Sequence, residues 1–329
     1  MHLAKHAKHT RLENMLAGGP VDRPPVALWR HWPGDDQDAT TLAAAHIKWQ
    51  QDYDWDLVKV SPSSSFCLRD WGAQDRWTGH IEGTREYTGR VVVDSADWSR
   101  LTPLDPTQGM LGLTLAALRQ TRAALGPTIP IVATIFSPLA QAKNLAGEER
   151  LLTHLRREPQ AVVEGLATIT ESTLRYLEAV RATGVDGIFY AVQHTRYTRL
   201  NAEEYRRFGR IHDLALLHAA QDLWLNLLHA HGEDAYLEPL ADYPVQVINW
   251  HDRENGVSLA EGMKELPMSV SGGVSRWTLH ADTPDAALAE ARDAWQQTGG
   301  RRWLLSTGCV IMTNTPTRNI RALRELVGA

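Results

Sequence analysis

Cysteine is nearly absent from this chain: only Cys67 and Cys309 occur among 329 residues. Two thiols cannot form the disulfide framework of a small secreted domain, and a reducing cytoplasm is the expected compartment. No apolar run approaches the roughly 20 residues needed to span a bilayer. The opening stretch, Met1 to His9, carries two lysines and three histidines and lacks the apolar centre of a signal peptide. Excess positive charge is missing as well. A net charge of −5 offers no field for nucleic acid, so neither nucleic acid nor membrane is an expected partner. What is present is the composition of a globular protein, 43% hydrophobic and 22% charged. Tryptophan is abundant at 12 residues. Several stand at the ends of apolar runs (Trp29, Trp32, Trp250), where flat rings often wall a ligand pocket.

Short apolar runs alternate with stretches of helical periodicity. The strand candidates are Val26–Trp29, Leu57–Val60, Ile129–Ile135, Gly187–Tyr190, Leu223–Leu228, Val245–Asn249, Pro267–Ser271 and Trp303–Ser306. Helices are expected over 2–17, 39–53, 109–125, 148–155, 158–182, 202–220, 233–241, 258–265, 284–297 and from about 317. Residues 66–107 break this rhythm. They read as an inserted hairpin region after the second strand, with Arg90–Val93 as its expected strand. Eight alternating units over 1–329 predict one α/β domain, a (β/α)₈ TIM barrel. A doubly wound sheet would show a glycine-rich turn after its first strand, and Gly18-Gly19-Pro20 precedes that strand instead. In a barrel the strand C-termini converge on one face, and that convergence points to an enzyme.

The polar strand ends supply the candidate residues. His229 and His231 flank Ala230, so both imidazoles leave one side of the strand, and Gly232 lets the backbone turn beside them. Cys309 follows the last strand. Two imidazoles and a thiolate suit zinc, while the bland alternative is a pair of hydrogen-bonded histidines at a strand end. Trp250-His251-Asp252 ends the next strand, with His251 as a general acid/base and Asp252 orienting it. After the first strand, Arg30 could clamp a carboxylate or phosphate, with His31 beside it. Gln193, His194 and Tyr197 follow the fourth strand and could orient a substrate. His212 and Asp213 read as helix-surface residues, and Cys67 as a small buried one.

These residues also carry a resemblance. Arg23-Pro24-Pro25-Val26 with Trp29-Arg30, Ser137-Pro138-Leu139, Gly184-Val185-Asp186-Gly187-Ile188, Leu228-His229-Ala230-His231-Gly232, Gly272-Gly273-Val274, Thr283-Pro284, and Gly308-Cys309 with Thr315-Pro316-Thr317 together resemble the uroporphyrinogen decarboxylase superfamily. That superfamily includes the decarboxylase and the zinc-dependent corrinoid methyltransferases. The decarboxylase's Arg-Gln-Ala-Gly-Arg signature survives only as Arg30, with Gly34 where its second arginine should stand. No acid follows the second strand. The methyltransferase branch's His-x-Cys-Gly and Gly-Cys ligands become His229-Ala230-His231-Gly232 and Gly308-Cys309, with His231 in place of a cysteine.

The resemblance implies a barrel enzyme, a methyltransferase holding zinc on His229, His231 and Cys309. Arg30 would grip the anionic group of a small acceptor, with His31, Gln193, His194 and Trp250 beside the substrate and His251 and Asp252 handling protons. The methyl donor would be a corrinoid on a separate protein. A carboxy-lyase acting on a tetrapyrrole or other carboxylated substrate is the alternative, and a non-catalytic barrel that binds a corrinoid or tetrapyrrole is a third. Members often form dimers, so a homodimer is one expected state.

Overall fold

The computed structural model describes residues 7–196 and 198–328. Tyr197 and the N-terminal His2 and His6 therefore lie outside the described residues. Nine strands are present among the described residues: β1 (Val58–Val60), β2 (Gln74–Arg76), β3 (Glu86–Gly89), β4 (Ile131–Phe136), β5 (Gly187–Val192), β6 (Leu227–Ala230), β7 (Val247–Trp250), β8 (Ser269–Val274) and β9 (Trp303–Thr307). Seven of them, β1-β4-β5-β6-β7-β8-β9, pair in that order, all parallel. The stretch around Val26 fills the gap between the two edges. Val26 bridges Leu305 in the parallel sense, the Ala27 amide donates to the Leu305 carbonyl at 3.1 Å, and the Asp56 amide donates to the Val26 carbonyl at 3.0 Å. The sheet thus closes into an α/β barrel. Helices lie between successive strands, including Pro138–Ala146 after β4, Pro159–Arg181 before β5 and Pro284–Thr298 before β9.

The apolar runs form these strands because both faces of a barrel strand are covered, one by helices and one by the barrel interior. Leu57, Val132, Leu225, Leu227, Val247 and Leu304 meet inside as one buried cluster. That plug of apolar side chains leaves the polar residues of each strand at its C-terminal end.

Local departures from the sequence reading have visible causes. The antiparallel ribbon in the insert pairs β2 with β3, not with residues 90–93. There the Val91 and Val92 amides both donate to the Leu145 carbonyl at 3.1 Å, which docks the segment on a helix end. Residues 233–241 contain only the 3₁₀ turn Glu238–Leu240. The Tyr236 amide is instead held by the Thr195 carbonyl at 2.8 Å, and Ala235 bridges Arg196. The expected helix 202–220 carries a π turn at Arg206–Arg210 between Ala202–Tyr205 and Ile211–Ala219. Asp213 in its last part is buried, not on the surface. It accepts hydrogen bonds from the hydroxyls of Tyr190, Tyr205 and Tyr243 at 2.6, 2.6 and 2.9 Å, which ties this helix to β5.

Candidate functional site

A cavity of about 260 Å³ opens at the C-terminal end of the strands. His229 comes from β6 and His231 follows it. Both point inward because alternate residues of a strand share a side. The strand neighbours of His229 in register are Ala191 on β5 and Asn249 on β7. His251 lies two residues beyond Asn249 and turns the same way. Cys309 follows β9, its carbonyl gripped by the Thr307 hydroxyl at 2.6 Å. One ligand atom from each of His229, His231, His251 and Cys309 lies within 4.8 Å of all the others.

The spacing of these donors fits a metal ion. Bonds of roughly 2.0–2.3 Å around a tetrahedral ion give donor–donor edges of about 3.3–3.7 Å. Cys309 Sγ lies 3.7 Å from His229 Nε2 and 3.7 Å from His231 Nδ1, and His251 Nε2 lies 3.4 Å from His231 Nδ1. The donor chemistry agrees. His229 Nδ1 pairs with Asn249 Oδ1 at 2.7 Å. The Asn249 amide donates in turn to the carbonyls of Ser271 at 3.0 Å and Thr307 at 3.1 Å. Asn249 therefore presents its oxygen to His229, which makes Nδ1 the donor and leaves the Nε2 lone pair facing Cys309. On the other side, His251 Nδ1 lies 3.5 Å from Glu254, and Glu254 is held by Arg276 at 3.4 Å.

Electrostatics follow from this crowding. Burial opposes a charge on Cys309, but the imidazoles of His229, His231 and His251 outweigh it and hold the thiol well below its ordinary value. Burial pushes His231 down to about 4. Burial also opposes a charge on His251, yet Cys309 and Glu254 raise it to about 9.

Adjacent candidates part company here. His31 lines the cavity, its Nδ1 3.3 Å from the Pro62 carbonyl, and burial lowers it to about 4. Arg30 does not line it. It faces a separate cleft with Trp32, Asp35 and Asp52, its guanidinium 4.6 Å over the Trp32 ring. Gln193 lines the cavity and accepts from Lys143 Nζ at 2.6 Å. His194 points away, buried 3.7 Å from Glu148. Trp250 packs against Gly262, with its Nε1 donating to the Val257 carbonyl at 2.9 Å. Asp252 is buried beside β8 and accepts from the Gly273 amide at 3.0 Å. Arg30, His194 and Trp250 thus lie outside the cavity where substrate contacts were expected, and Asp252 turns to β8 rather than toward the cluster, because each is the outward partner of an inward residue.

The sequence reading missed Lys59. It sits on β1, lines the cavity and is pushed down to about 7 by burial, with Cys309 opposing. The insert also contributes: Glu82, Thr84, Arg85 and Tyr87 roof the cavity. Lys59 occupies the inward parity of its strand, the same signal that singles out His229 and His231.

A family model described as uroporphyrinogen decarboxylase matches residues 79–329. A uroporphyrinogen decarboxylase of Prochlorococcus marinus (strain NATL1A) is 24% identical, over 68% of this chain and 65% of the relative. A methylcobamide:CoM methyltransferase of Methanosarcina barkeri is 25% identical, over 64% of this chain and 61% of the relative. The chain thus spans less than two thirds of these two relatives. Against a second methylcobamide:CoM methyltransferase, from Methanosarcina acetivorans, the match is 21% identical over 98% of both chains. Among solved structures, a methyltransferase from Methanosarcina mazei superposes with a TM-score of 0.86 at 21% identity, over 97% of each chain.

Proposed function

Since the chain belongs to the uroporphyrinogen decarboxylase family, we propose that it is a methyltransferase of that family, moving a corrinoid-bound methyl group to a small acceptor. The observation that carries this reading is the meeting of three imidazoles and one cysteine sulfur within 4.8 Å of one another, with Cys309–His229, Cys309–His231 and His231–His251 at 3.7, 3.7 and 3.4 Å, beside a small cavity. Relatives named as methylcobamide:CoM methyltransferases support it. The size of the cavity supports it too. About 260 Å³ lies below the roughly 300–1,000 Å³ of sites for drug-sized ligands, so a small acceptor fits better than a tetrapyrrole.

His229, His231 and Cys309 would hold zinc, with His251 as the fourth donor. Such a metal supplies activation of a coordinated acceptor at neutral pH. Asn249 keeps His229 in the tautomer that offers Nε2. Glu254 faces Nδ1 of His251 at 3.5 Å and would orient that imidazole toward the cluster and balance its charge. Trp29, Phe136 and Phe189 line the cavity and exclude water from the acceptor. The methyl donor would arrive on a separate corrinoid protein at the open end of the barrel.

The test is metal content of untagged protein, followed by methyl transfer from methylcobalamin to a panel of small thiols. About one zinc per chain, lost in Cys309→Ala and His231→Ala, together with product formation, is the expected result. Wild-type protein that stays metal-free after zinc is supplied would overturn it and favour decarboxylation of a carboxylated substrate.

A further inference from the structure

Several buried arginines among the described residues are met by carboxylates. Arg85, in the cavity roof, lies between Asp36 at 2.6 Å and Asp75 at 3.3 Å. Arg276 holds Glu82 at 2.5 Å, and Arg11 and Arg23 share Asp56 at 2.6 and 2.7 Å. Lys59 departs from this pattern. It is 6% exposed, its Nζ donates to Ser61 Oγ at 2.8 Å and lies 4.6 Å over the Phe189 ring. No carboxylate comes within 4.0 Å of it among the described residues. An ammonium in that setting is costly to bury unless an anion reaches it.

Its position names the anion's source. β1 stands across the barrel from β7, so Lys59 faces the donor cluster over the cavity. The Phe189 ring links the two walls. It lies 4.6 Å from Lys59 Nζ and 5.4 Å from the stacked His229 ring, which puts ammonium and imidazole within about 10 Å of each other. The Ser61 bond uses one of three ammonium protons and leaves two for a ligand. Lys143 adds a second cation at the same cavity, but Gln193 already accepts from it at 2.6 Å.

We infer that Lys59 is the specificity residue of this site, holding the acidic end of the acceptor, a carboxylate or a sulfonate, while the acceptor's other end meets the cluster. This rests on the reading of the cluster as an acceptor site. It gives to Lys59 the role that the sequence suggested for Arg30, and it limits the acceptor to a short linker between its two ends.

Calorimetry on the zinc-loaded protein tests it, with 3-mercaptopropionate, 3-mercaptopropanesulfonate and the neutral 3-mercapto-1-propanol as probes. Wild type should bind at least one acid about 10-fold or more tighter than the alcohol, as one charge-assisted contact provides. Which acid binds tighter separates carboxylate from sulfonate. Lys59→Met should bring the ratio close to one with its zinc retained, and Lys59→Arg should keep part of the preference. Equal binding of acid and alcohol by wild type, or a preference that survives Lys59→Met, overturns the assignment. Should Lys59→Met not fold, Lys59→Gln and the wild-type ratio decide. Methyl transfer from methylcobalamin separates the two readings. Acid preference without transfer rejects the proposed function and keeps Lys59, whereas transfer to acid and alcohol alike keeps the function and rejects Lys59.

Discussion

Asn249 decides which nitrogen of His229 faces the cluster. Its Oδ1 takes the Nδ1 proton, and two carbonyls prevent the amide from flipping. A partner of this kind typically changes metal affinity by about 10–100-fold when removed. Asn249→Leu should therefore weaken zinc binding by that factor in chelator competition, with the fold retained. Unchanged affinity would mean that His229 is not a ligand. The same inward parity that places Asn249 sorts the candidate site residues. In Arg30/His31, Gln193/His194 and His251/Asp252, only one member of each pair faces the cavity or its cluster. The sequence made both members look available because it shows residue type at a strand end, not the side on which the strand enters the barrel. His229 and His231 were legible since their two-residue spacing forces a common side. Lys59 carried the same parity, with Ser61 two residues on, but a lysine and a serine do not make the metal-ligand pair that drew attention to the histidines.

The junction between β7 and β8 is where a misplaced catalytic candidate has a structural task. Asp252 lies two residues past β7, and its Oδ2 accepts from the amide of Gly273 in β8. A Cβ on Gly272 would lie 2.4 Å from Asp252 Oδ1, so the strands approach this closely only with glycine there. Burial pushes Asp252 up to about 7, with Arg253 and the Gly273 amide opposing. A carboxyl raised in the folded state binds more protons there than in the unfolded chain. Its charge therefore costs stability fully above pH 7, and that cost fades as pH falls toward 4. Asp252→Asn should stabilise the protein at pH 8 by on the order of 1–3 kcal/mol, and the gain should shrink steadily by pH 5. Arg253 keeps Asp293 at 2.6 Å, so the variant strands no cation. Thermal melts at the two pH values check this, and a gain independent of pH would show that Asp252 does not titrate in this range.

At the scale of the whole molecule, the barrel stands on one closure. The sheet strands were legible as apolar runs because parallel strands are buried on both faces. The seam between the first run and β9 was not, since it depends on contacts between distant residues. Asp56 holds that seam. Fully buried, it takes Arg11 and Arg23 and accepts the Val26 amide at 2.8 Å. Removing one partner of a buried ion pair leaves uncompensated charge and costs about 3–5 kcal/mol. Asp56→Ala should lose stability on that scale in denaturant unfolding. Its effect should also reach the candidate site, because the seam carries Trp29, whose carbonyl accepts the Ile311 amide at 3.0 Å two residues beyond Cys309. Zinc release and loss of helical signal should then shift together to lower denaturant. Zinc lost well before the helices, in the variant but not in wild type, would instead show that the seam opens locally while the rest of the barrel stays folded.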